Sequence, residues 1–141
     1  MLVHDRSDAR RYFIEVRRKY SNNQPLEPME SLILDVILAH PEYHSVLDSG
    51  EDALDQDYSP EHGQTNPFLH MSLHITIKEQ IQTDRPAGIR DLCDALLEKY
   101  GNSHDMEHGV MECLGESLWL AQRNNALPDE QKYLENVKAL L

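Results

Sequence analysis

Basic residues are in short supply in this chain. Thirteen Lys and Arg stand against 25 Asp and Glu, a formal net charge of −12 over 141 residues. Phosphate affinity needs a basic footprint, so this balance excludes a duplex nucleic-acid binder and a module docking on anionic lipid. The one basic cluster, "RRYFIEVRRKY" (10–20), is interleaved with core-like residues at helical spacing and reads as a solvated helix face. Long apolar runs are lacking too. No segment approaches the roughly 20 residues that span a bilayer, and "MLVHDRSDARRYF" at the start lacks the apolar core of a signal peptide. Cysteine is limited to Cys93 and Cys113, with no CxxC, so no zinc-finger or disulfide framework is expected. A reduced, cytoplasmic protein is the expectation. The six glycines form neither GxGxxG nor GxxxxGK[ST], which excludes the common phosphate-cradling loops.

Strand-like alternation is the last absence, and helical signals take its place. The segments "ARRYFIEVRRKYSN", "PMESLILDVILAH", "PFLHMSLHITIKEQIQ", "IRDLCDALLEKYG", "HDMEHGVMECLGESLWLAQRNN" and "PDEQKYLENVKALL" carry apolar residues at helical spacing. Asp8 and Ser103 are the expected caps of the first and fifth of these, and Asn66–Pro67 the start of the third. Pro41 disfavours helix at His40, so "PEYHSVLD" starts a short new turn. Residues 49–66 are acidic and turn-rich and read as a loop with one helical turn at most. They lack the central Gly and terminal Glu of an EF-hand, which argues against calcium. The expectation is all-α: a single domain over 1–141, a bundle of about five to six helices.

Eight histidines are present, and three pairs are spaced by four: His40/His44, His70/His74 and His104/His108. Chance placement would give roughly half of one such pair, so the excess is real. Residues four apart on a helix lie one above the other, so two imidazoles can approach one ion. At 100° per residue, His70, His74, Ile77 and Ile81 share the apolar face of their helix. On the later helix His104, His108, Glu112, Gly115 and Trp119 share a face flanked by Met111 and Leu118, with Glu116 at its edge and Trp119 expected to lid the cluster. His40/His44 is the weaker pair, because Pro41 interrupts it. His4 and His62 default to the surface.

Imidazoles and carboxylates on buried faces need a partner or an ion. The expected metal set is therefore His70, His74, His104, His108 and Glu112, with His40, His44 and Glu116 as further candidates. Imidazole plus carboxylate suits iron or zinc. There is no HExxH and no Glu-x-x-His, so neither a zincin-type protease nor a ferritin-like di-iron pattern applies. His-x3-His on one helix and His-x3-Glu on another is similar to the ligand pattern of hemerythrin-like bundles.

The segments "HPEYH" (40–44), "YSPEHGQTNPFLHMSLHITIKEQ" (58–80), "DRPAGI" (84–89) and "HDMEHGVMECLGESLWLAQR" (104–123) resemble domain of unknown function 1841. The resemblance runs over nearly the whole chain with segment order kept. It implies a small, single-domain, mainly proteobacterial cytoplasmic protein, carries no activity and names no ligand residues.

Three functions remain open on sequence. The first is a metal-binding helical bundle with a redox, oxygen-binding, hydrolytic or structural role for iron or zinc. The second is a metal-free acidic module for protein–protein contact, with a satisfied polar histidine core and a protein partner or a second copy as its target. The third is a pH-responsive module, since clustered imidazoles titrate near neutrality.

Overall fold

A computed structural model describes residues 6–54 and 66–141. The expectations for His4, for His62 and for residues 55–65 of the acidic loop lie outside them. Among the described residues every regular element is helical, with no strand. No described helix is long and apolar enough to cross a membrane. The chain divides into two compact units, residues 1–72 and 73–141.

In the first unit, α1 (Arg6–Ser21) packs against α2 (Pro28–Leu38), α3 (His44–Asp48) and α4 (Glu51–Leu54). Phe13 and Val16 of α1 are buried, as are Ile33, Val36 and Ile37 of α2 and Leu47 of α3. Pro28 opens α2 at its first position, where a missing N–H costs nothing. Glu30 accepts there from the Glu27 main-chain N–H at 3.0 Å and from Lys19 at 2.8 Å. Arg10 is buried inside α1, and its guanidinium donates to the carbonyls of Ala53 and Leu54 at 2.9 and 3.1 Å. Those carbonyls belong to the last two residues described in α4.

Between α2 and α4 the chain makes the short turn expected of "PEYHSVLD", split in two. Pro41 starts a three-residue 3-10 turn, Pro41–Tyr43, and Gly50 at φ +62° separates α3 from α4. The count among the described residues is therefore eight α-helices and one 3-10 turn, not five to six helices. Proline at one end and a left-handed residue at the other prevent these turns from merging.

The boundary between the units falls within α5 (Pro67–Thr83). Asn66 caps this helix as expected, its side-chain oxygen accepting from the N–H groups of Phe68 and Leu69. In the second unit the remainder of α5 is followed by α6 (Ile89–Tyr100), α7 (Ser103–Arg123) and α8 (Glu130–Lys138). α7 packs on both α6 and α8. The core combines Ile77, Ile89, Cys93, Leu96, Met106, Val110, Leu114, Tyr133 and Val137.

Two expected caps are corrected. The cap of α7 is Asn102, whose extended backbone and side-chain oxygen meet the Asp105 N–H at 2.9 Å; Ser103 is already helical. Helix α1 begins at Arg6, so Asp8 lies inside it. Gly101 closes α6 in the left-handed region at φ +86°, as expected. Gly109 has a different reason: a Cβ there would sit 2.7 Å from the Tyr100 hydroxyl, so a larger residue would make the Tyr100 side chain shift.

Candidate metal centre

In the second unit, α5 supplies His74 and α7 supplies His104 and His108, one turn apart. The three rings are mutually adjacent. Centroids of His104 and His108 are 4.2 Å apart, those of His74 and His108 4.9 Å, and those of His74 and His104 5.3 Å. Each imidazole offers one nitrogen within 4.8 Å of the nitrogens offered by the other two. His74 is buried at 1% exposure, and His104 and His108 are half-buried.

Beside them lies a carboxylate that the sequence reading did not select. Glu107, 3% exposed, accepts from His74 Nδ1 at 2.8 Å through Oε1 and from Lys78 Nζ at 2.9 Å through Oε2. Burial alone would push this carboxyl up. The hydrogen bonds from His74 and Lys78 outweigh it and hold the group below its usual value. An ionised carboxylate can only accept, so the His74 proton on this side sits on Nδ1. The signal for Glu107 was in the sequence: it stands at i, i+3, i+4, i+7 with Val110, Met111 and Leu114, all buried. Lys78 likewise follows His74 by one turn on α5.

The buried face of α7 is thus rotated from the expected one. It holds Met106, Glu107, Val110, Met111, Cys113 and Leu114, and the two histidines lie along its border. Glu112 and Glu116 are exposed, which corrects the expectation that their side of the helix faces the interior. Trp119 is 56% exposed, with the Arg123 guanidinium 5.2 Å from its ring centroid, and lids nothing. The reason is packing. α7 touches α6 and α8 along the line of Met106, Val110 and Leu114, and the helix turns that line inward.

The other expected ligands lie in the first unit. His40 is buried, and its Nδ1 donates to the Val36 carbonyl at 2.7 Å. Its ring stacks on Tyr43, centroids 5.4 Å apart, and meets the half-buried His70 edge-on at 5.0 Å. His44 is half-buried and donates from Nε2 to the Ile37 carbonyl at 2.8 Å. The thiols of the second unit are not poised nucleophiles. Burial pushes Cys93 up to about 11 and raises Cys113 as well, which keeps both protonated at neutral pH.

Residues 5–139 match the model of a family described as Domain of unknown function (DUF1841). The chain belongs to that family. No curated protein and no solved structure matches it. The matched span contains all six paired histidines together with Lys78 and Glu107, so the centre is built from the family's own domain and not from an appended segment.

Proposed function

We propose that the second unit binds a transition-metal ion, iron or zinc, through His74, His104 and His108. The observation that carries this reading is the meeting of three imidazole nitrogens within 4.8 Å of one another. An ion with metal–nitrogen bonds of about 2.1 Å in tetrahedral geometry needs its ligands roughly 3.4 Å apart, a spacing inside that envelope. Neutral imidazoles suit zinc, iron, cobalt or nickel and suit magnesium or calcium poorly. Zinc would staple α5 to α7 or activate a bound water; iron would add a redox or oxygen-binding role.

Elemental analysis of untagged protein tests the reading. About one equivalent of metal is expected on purification or after adding Zn2+ or Fe2+, with a rise in melting temperature, because a ligand of the native state stabilises it. His108→Ala should lower occupancy and remove that rise. Occupancy below about a tenth of an equivalent, with no uptake on titration, would sink the proposal. Alanine variants at His40, His44, His70, Glu112 and Glu116 belong in the same series, and any that lowers stoichiometry joins the ligand set.

The metal-free acidic module is the second reading. What favours it is that His74, Glu107 and Lys78 already satisfy one another by hydrogen bonds. It predicts unchanged stability on adding zinc, and a copurifying partner or a second copy lost when the acidic stretch 49–61 is neutralised.

A further inference from the structure

The Lys78–Glu107–His74 chain has an asymmetry that the three clustered imidazoles alone do not explain. Lysine can only donate, so Glu107 Oε2, 2.9 Å from Nζ, must accept. The same carboxylate presents Oε1 to His74 Nδ1 at 2.8 Å. Both oxygens are thereby engaged, one on each side, and Glu107 is 3% exposed. A carboxylate held at both oxygens is poorly placed to act as a ligand. It is well placed to dictate which nitrogen of the imidazole carries the proton, since a hydrogen bond at one ring nitrogen sets the state of the other. Lys78 keeps one end in contact with solvent, its side chain 28% exposed, while the other end of the chain is closed.

We infer that Glu107, anchored by Lys78, is the positioning residue that holds His74 with its proton on Nδ1 and its lone pair on Nε2, the nitrogen presented to the ion. The part of this inference that concerns the ion rests on the proposed metal reading. The part that concerns the tautomer stands on the hydrogen bonds alone.

The two halves can be read separately. Long-range 1H–15N spectra of the labelled, metal-free chain, with His74 assigned by its loss in His74→Gln, report the tautomer directly. The wild type should show His74 protonated on Nδ1. Glu107→Gln keeps the shape but changes the pattern. Lys78 draws the amide oxygen to itself, the amide NH2 then faces His74 Nδ1, and that nitrogen must accept, so the proton moves to Nε2. The double variant Lys78→Met with Glu107→Gln frees the amide to turn its oxygen toward His74, and the Nδ1–H form should return. Zinc affinity should follow the same order, falling about 10- to 100-fold in Glu107→Gln and recovering in the double variant. A purely structural role for Glu107 would not switch the tautomer and then restore it. An Nε2–H form in the wild type, or one tautomer in all three chains, overturns the inference. Failure of the wild type to bind either zinc or iron overturns the metal reading, and the tautomer pattern still decides whether Glu107 and Lys78 set His74.

Discussion

In residues 40–44 both imidazoles hydrogen-bond to the main chain, and His40 also meets the His70 ring; in residues 104–108 the imidazoles pack against each other and His74 beside a buried carboxylate. The spacing is the same. What differs is the helix around it. Proline at 41 has no N–H, so the Ile37 carbonyl loses its regular donor, and His44 Nε2 takes that place at 2.8 Å. The His40 main-chain N–H turns to the Ile37 carbonyl at 3.1 Å, which strips the Val36 carbonyl of its donor, and His40 Nδ1 replaces it at 2.7 Å. These two histidines are caps for a proline-broken helix end. In α7 no proline intervenes between His104 and His108, and both rings meet that of His74. In this chain the pair on the intact helix brings both rings to His74, and the pair across Pro41 puts both rings on main-chain carbonyls.

The strongest way to break this comparison is to remove the group that organises the second unit. Glu107→Ala leaves His74 and Lys78 facing a space without a carboxylate, in a place where water is scarce. We expect a loss of about 3 kcal/mol, read as a lower urea midpoint at unchanged slope. The counterpart in the first unit is His40→Ala, which leaves the Val36 carbonyl short of a donor and removes a buried ring. A loss of about 2 kcal/mol is expected, and it should not depend on added zinc. If His40→Ala instead abolishes a zinc-induced stabilisation, the division between capping and side-chain histidines fails.

Much of this was legible beforehand, and the exceptions have physical causes. The long helices, the Asn66–Pro67 start and the Gly101 stop followed from local periodicity and capping, which act within a few residues. The short α3 and α4 are legible only as turns, in "PEYHSVLD" and within 49–66, because what anchors α4 is Arg10, a contact distant in sequence. For the centre, the inward direction of His74 was readable from Ile77 and Ile81. The face of α7 was assigned from its histidines and not from its apolar residues, which brought in Glu112 and left out Glu107. Anchoring the helical wheel on Met106, Val110 and Leu114 selects Glu107 as the buried carboxylate of α7. No local pattern could have paired Glu107 with Lys78, 29 residues away.

A moderate effect is expected from acid. The Glu107 carboxyl in the folded chain lies below its ordinary value, because the bonds from His74 and Lys78 outweigh burial. A group depressed in this way adds stability that is fully present above its unfolded pKa of about 4.3 and is lost as pH falls through the folded value. The stability gap between wild type and Glu107→Gln should therefore be widest near neutrality and narrow steadily toward pH 3. A gap that stays constant would mean the carboxylate is not held by charge.

The smallest effect belongs to His44. Its ring is half-buried, and the Ile37 carbonyl that it serves also receives the His40 main-chain N–H, so that oxygen keeps one donor when the imidazole goes. Glutamine can place an amide N–H near the position of Nε2. His44→Gln should therefore cost well under about 1 kcal/mol, and His44→Ala not much more. Thermal melts of the two variants, with and without zinc, decide what this histidine does. A capping imidazole can be replaced by any donor of similar reach, whereas a metal ligand cannot be replaced by an amide without loss of occupancy. If His44→Gln matches the wild type in both melts, the spacing at 40–44 reflects the proline break alone. If zinc uptake falls, His44 is a ligand, and the main chain is only one of its two partners.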